Sequence, residues 1–290
     1  MSTPLSELSI RRLTRGDLEA CADLSEDRGW PREEHKWGLL LAAGTGYGID
    51  DPSGKGLVTA CVVTSYGRGS SPGPGLAAIG MVLVAERYAR RGVGRRLMKH
   101  VLAEAEGTPL TLHATPYGKP LYEELGFATV GRAEMVRGHL RATGPAPQVT
   151  TRPANAEDLP AILHLDAEVF GLDRTHMITR LPAFADQLRV AESNGVLTGY
   201  AAAWPNMETH VVGPLIARDT DTAKSLIASL AAGTDRPLRT DIDVRHEELL
   251  NWLRTNGLER IAFNAVMTKG APGLPGDWTR RFAPLTVAAG

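Results

Sequence analysis

Between residues 80 and 97 the chain passes from an apolar segment, Met81, Val82, Leu83 and Val84, through a short polar bend into Arg90-Arg91-Gly92-Val93-Gly94-Arg95-Arg96. A helical pattern follows, with Leu97, Val101 and Leu102 on one face. A buried strand that leads through glycines into a helix start commits this part of the chain to an α/β arrangement and makes a place for an anion. The first amides of a helix have no intrahelical partner, and the helix dipole adds positive potential there. Glycine lets a ligand approach the backbone with no side chain in the way. Two common phosphate loops are excluded. No Gly-Lys-Ser/Thr ending is present, and the third glycine of a dinucleotide fingerprint would fall at position 97, which is Leu.

A chain of 290 residues is long enough for two domains of ordinary size, each with its own core. With 43% apolar and 22% charged residues, the composition is that of a globular protein. The 32 basic and 33 acidic residues nearly cancel, so no global field recruits nucleic acid or a membrane surface. Two cysteines, Cys21 and Cys61, are too few for a disulfide framework or a thiolate zinc site. No metal is expected: His164, His176, His210 and His246 show no ligand spacing. The start of the chain has no basic-then-apolar signal segment, and no apolar run reaches membrane-spanning length. A cytoplasmic location is expected.

Elements follow from periodicity and turn residues. A short strand at residues 8–13 precedes a helix carrying Leu18, Cys21 and Leu24; Pro31 opens a second helix with Trp37, Leu40 and Leu41 inward. Glu33, Glu34 and His35 read as its solvated face. Asp51-Pro52-Ser53-Gly54 turns a hairpin, and residues 67–75, rich in Gly, Ser and Pro, form a loop into the strand at 81–84. After the glycine turn come a helix to about residue 106, a strand at 109–114, a short helix at 119–125 and a last strand at 127–136. Residues 138–150 are polar and Pro/Gly-containing, as linkers are. The chain then starts again: Arg152, Asp158 and Leu159 repeat the spacing of Arg11, Asp17 and Leu18. The period, near 140 residues, indicates an internal duplication of domain size. In the second copy the strand ending at Ala217 leads into Arg218-Asp219-Thr220-Asp221-Thr222, with no glycine pair; Thr220 or Asp221 is the expected N-cap.

The glycine turn resembles motif A of the GCN5-related N-acetyltransferases (GNAT), Q/R-x-x-G-x-G/A. Gly92 and Gly94 match, while the leading Q/R position holds Ala89, and Arg90 and Arg91 bring the charge one and two residues later. Leu121-Tyr122-Glu123-Glu124-Leu125-Gly126-Phe127 resembles the family's second motif, and the element order β-α-α-β-β-β-α-β-α-β is the family's order. The resemblance implies an α/β (α+β) protein of two tandem GNAT-like domains, each a mixed, mostly antiparallel central sheet flanked by helices. Residues 1–140 would form a catalytic domain, 141–150 a linker, and 151–290 a degenerate copy that does not bind coenzyme A.

It further implies acetyl transfer from acetyl-CoA to a primary amine by direct attack in a ternary complex. Met81, Val82, Leu83 and Val84 would pair with the pantetheine arm. Arg90, Arg91, Gly92, Val93, Gly94, Arg95 and Arg96 would hold the pyrophosphate. Tyr122 would protonate the departing thiolate, although a Tyr at helical spacing from Leu125 also serves as core. His113 and Glu86 compete for the base, and a water relay is a third route. Trp30, Tyr47 and Tyr66 would flank the acceptor. The acceptor is a small-molecule amine or a peptide lysine, and a homodimer is compatible with this reading. The alternatives are a non-catalytic acyl-CoA sensor or interaction module, or transfer of another acyl group.

Overall fold

The computed structural model describes residues 4–5, 7–67, 75–105, 107–141 and 149–290. Most of the loop expected at 67–75 and of the linker expected at 141–150 therefore lies outside the described residues.

In chain order the first half comprises β1 (Arg11–Leu13), α1 (Leu18–Asp27), α2 (Glu34–Ala43), β2 (Thr45–Asp50), β3 (Leu57–Tyr66), β4 (Leu76–Val84), α3 (Val93–Glu104), β5 (Leu110–Ala114), α4 (Lys119–Glu124) and β6 (Ala128–Gly138). The second comprises β7 (Thr151–Pro153), α5 (Leu159–Phe170), α6 (Thr175–Ile178), α7 (Leu181–Phe184), β8 (Gln187–Ser193), β9 (Val196–Asn206), β10 (Thr209–Ala217), α8 (Thr220–Ala231), β11 (Leu238–Asp243), α9 (Glu247–Thr255), β12 (Leu258–Lys269) and β13 (Arg281–Ala283). No helix among the described residues is long and apolar enough to cross a membrane.

The repeat seen in the sequence is a repeat in structure. Thr14 and Asp17 form a capping box ahead of α1, and Asn155 and Asp158 form one ahead of α5. Arg11 pairs with Asp17 at 2.7 Å, and Arg152 with Asp158 at 2.7 Å. The same two contacts therefore set the same helix entry in both halves.

The halves do not remain side by side. The thirteen strands among the described residues form one sheet, ordered β1-β2-β3-β4-β5-β12-β6-β11-β10-β9-β8-β7, with β13 attached to β10. The pairings are antiparallel except β4 with β5 and β10 with β11. At the centre, β12 of the second half lies between β5 and β6 of the first, and β6 lies between β12 and β11 of the second. Each half thus lends a strand to the other, β6 from the first and β12 from the second. Gly138 sits at the end of this exchange, where a Cβ would come within 2.1 Å of the Gly257 carbonyl oxygen.

The two faces of the sheet are covered differently. On one face α3 and α4 bury Leu97, Met98 and Tyr122 over the first half, while α8 and α9 bury Leu226, Leu230 and Leu253 over the second, as separate cores. On the other face α1 and α2 share a single core with α5, α6 and α7, in which Trp37, Phe170 and Trp204 are enclosed. The residues after β13 join that shared core through Leu285, Ala288 and Ala289.

Candidate active site

The site begins where β4 leaves β5. The two strands pair in parallel at Ala77, Ala78 and Ile79 and then diverge. The cause is a bulge against β3, whose register shifts between Ala60 and Val62, with Met81 held at φ 53°. That left-handed conformation costs a non-glycine residue about 1–2 kcal/mol, and residues 81–84 lie beyond the pairing with β5, so that one edge of β4 faces a cleft. The cleft has a volume of about 980 Å³.

At one end of the cleft the chain enters α3. Arg90 (φ 59°) and Gly92 (φ 77°) are both left-handed, and the helix has no side-chain N-cap. The first amides of α3 are therefore left for an outside acceptor. Gly94 packs the helix start onto the strand: a Cβ there would lie 3.2 Å from a Val84 methyl. The turn is held from behind by Asp51, which accepts from Arg87 at 2.6 Å and from Tyr88 at 3.1 Å. Burial alone would raise the Asp51 carboxyl, but Ser53, Arg87 and Tyr88 outweigh it and hold the pKa down at about 2.

The expected pyrophosphate arginines separate by position. Arg90 and Arg95 line the cleft, and Arg95 is ion-paired with Glu124. Arg91 lies over the Tyr88 ring, 5.8 Å from its centroid. Arg96 donates to the Leu5 and Leu8 carbonyls and ties down the segment before β1.

Tyr122, on α4, is buried against Phe127 with its ring facing the cleft wall. Burial, with the Cys61 thiol nearby, pushes its phenol pKa upward, so the hydroxyl keeps its proton. His113, on β5, lines the same cleft; burial and then Arg281 push its pKa down to about 4, so the ring is neutral near pH 7. Its Nδ1 has no hydrogen-bond partner among the described residues. Glu86 is exposed, ion-paired with Arg28, and is not among the cleft-lining residues. Trp30 stands at the cleft mouth. Tyr47 is buried on the α3 side, edge-on to His100, and Tyr66 is buried in the shared core, donating to the Ala289 carbonyl.

The far end of the cleft holds residues that sequence reasoning did not select. Glu33, at φ 48°, and Lys36 are both buried rather than solvated, and they form an ion pair. Asn206 donates to Glu33 at 3.1 Å. Arg239 of β11 and Asn264 of β12 complete this wall. The second half thus closes this end of the first half's cleft. His35, expected on a solvated face, is stacked on Phe184 at 4.3 Å. No local signal could have marked Glu33 or Lys36, because Asn206 and Arg239 are brought to them from some 170 to 200 positions away by the shared core and the strand exchange.

In the second half, β10 and β11 also pair in parallel for three residues, His210, Val211 and Val212, and then part. Here β13 occupies the space, pairing with β10 at Leu215 and Ile216 and lying against β11. The N-cap of α8 is Asp219, one residue before the expected Thr220, and it accepts from the Thr222 amide at 2.8 Å.

The chain matches a GNAT acetyltransferase domain model at residues 65–144 and another, of the same description, at residues 162–283. It is 30% identical over 242 residues to YitH, an uncharacterized N-acetyltransferase of Bacillus subtilis (strain 168), covering 80% of this chain and 81% of that one. The chain belongs to the GNAT acetyltransferases. Among solved structures it resembles an acetyltransferase candidate from Pyrococcus horikoshii, with a TM-score of 0.80 and 18% identity, covering 98% of this chain and 96% of that one. It also resembles a tandem GNAT protein from the clavulanic acid biosynthesis pathway, with a TM-score of 0.63 and 14% identity, covering 92% of this chain and all of that one. This GNAT chain therefore carries two GNAT-like units in tandem.

Proposed function

We propose that this GNAT chain transfers an acetyl group from acetyl-CoA to a primary amine by direct attack in a ternary complex, in the cleft beside β4. The observation that carries the reading is one continuous cleft. It joins an uncapped helix start, the free edge of β4 and a protonated tyrosine. Residues 92–95 would take the pyrophosphate, with Arg90 adding charge. The edge of β4 would pair with the pantetheine arm as an added strand, and a β4 amide would polarise the thioester carbonyl.

The neutral amine attacks the thioester carbon, the new C–N bond forms and the C–S bond breaks. The Tyr122 hydroxyl gives its proton to the departing thiolate, and the proton shed by the attacking nitrogen restores it through His113 or water. A pKa near 4 makes His113 a weak proton acceptor, which favours its role as a relay. Glu86, tied to Arg28 outside the cleft lining, has less to support it. Division of labour follows: the first half works and the second closes its acceptor end, its own gap being filled by β13.

The test is thiol release from acetyl-CoA across a panel of amines, for wild type and Tyr122→Phe. Amine-dependent release that falls in the variant supports the reading. Acetyl-CoA binding without release to any amine would instead make the chain a sensor.

A further inference from the structure

The cleft has one acidic side chain among its described lining residues, Glu33, and that carboxylate is already committed to Lys36 and Asn206. Of the cleft's cations, Arg28, Lys36 and Arg95 each have a carboxylate partner. Arg90 lies at the pyrophosphate end. Arg239 lies at the other end, and its side chain is only 14% exposed.

Its guanidinium donates no hydrogen bond to any described residue. It makes only a long ion pair with Glu33, at 3.6 Å, and Nε is buried without a partner among the described residues. A buried guanidinium with unused donors is costly unless something supplies the acceptors. Five N–H groups in a planar fork match a carboxylate in two-point contact. Asp241, on the same face of β11, does not make that contact, and burial raises its pKa. A second ammonium on the acceptor, by contrast, would find no free counter-ion in the cleft.

We infer that Arg239 receives a carboxylate carried by the acceptor, so that the substrate is an amine bearing a carboxylate several bonds from its nitrogen. This rests on the acetyltransferase reading for what happens at the amine. The sheet sets the separation. Four inter-strand steps divide β11 from β4, and at about 4.8 Å each they span roughly 19 Å. Arginine's own length shortens that gap but does not close it to the two carbons of an α-amino acid. An ω-amino acid, or the N-terminal amine of a short peptide, has the required reach.

The proposal is tested by calorimetric titration of the CoA-loaded full chain with aminohexanoate, its primary amide and diaminohexane. Wild type should bind the carboxylate at least tenfold tighter than either relative. Arg239→Gln should bring the carboxylate's affinity down to that of the amide, and Arg239→Lys should restore part of the preference if Gln merely disturbs the fold. Tighter binding of the diamine, or a carboxylate preference that survives Arg239→Gln, overturns the proposal. So does a preference for the phosphonate analogue, since it would make the anion a phosphate-like group. An Arg239-dependent preference without any thiol release would leave the subsite standing and remove the transferase reading instead.

Discussion

In the first half β4 and β5 stay paired through Ile79 and Leu112 and then part; in the second, β10 and β11 stay paired through Val212 and Thr240 and part at the matching place. The first opening is a cleft with an uncapped helix at its end. The second is occupied by β13, and its helix is capped by Asp219. The same residues after β13 continue past both openings: a Cβ on Gly213 would lie 2.2 Å from the Pro284 carbonyl oxygen, and one on Gly80 2.2 Å from that of Ala288. A duplicated architecture is therefore not a duplicated cleft. What separates them is whether the chain itself satisfies the strand edge and the helix amides.

The comparison breaks first if the halves are independent. Expressed alone, residues 1–141 lack the strand between β5 and β6, so no cooperative unfolding transition should appear by circular dichroism; co-expression with residues 149–290 should restore it. A sharp transition in the isolated segment would deny the exchange its structural weight.

Next come the two glycines under the chain's last residues. Gly80→Val and Gly213→Val should each cost about 3 kcal/mol or more, read from urea midpoints, because backbone rather than a flexible side chain meets the new atoms. A cost below 1 kcal/mol at either would mean that this segment is loosely held there.

Tyr122→Phe should lower kcat about a hundredfold while leaving acetyl-CoA affinity within about twofold, the pattern of a lost proton donor. An equal loss in affinity would return Tyr122 to the core. Asp219→Ala should cost only about 1 kcal/mol and should create no second acetyl-CoA site, since β13 still fills the gap.

A further effect is one of pH. With His113 depressed to about 4, the unfolded chain binds a proton that the folded chain refuses between that value and the ordinary 6.5. Wild-type stability should fall as pH drops through that window, and His113→Asn should flatten the slope. Asp51 acts lower, contributing stability that is lost only as pH falls from near 4 towards about 2. An unchanged slope in His113→Asn would show that the imidazole is solvated.

Much of this was legible because it is local. The turn at Gly92 and Gly94, the helix around Tyr122, and the Arg11–Asp17 echo at Arg152 and Asp158 are patterns within a few residues of one another, and each lies on the element its pattern indicated. The strand exchange was not legible, because nothing local to β6 or β12 specifies that its neighbours come from the other half. Glu33 looked like part of a solvated face because its partners Asn206 and Arg239 come from β9 and β11. Tyr47 and Tyr66 matched an aromatic wall by type and position, but the pleat sends both into cores. β13 is only three residues long, and its pairing with β10 is set by the sheet rather than by any local pattern, so the plug that distinguishes the halves is invisible without the sheet.

The division between a working and a filled opening is tested most directly by calorimetric titration of the whole chain with acetyl-CoA. The account requires one molecule bound per chain, with binding lost when Gly94 is replaced by Trp. Two molecules per chain, or a single one that persists in Gly94→Trp, would contradict it.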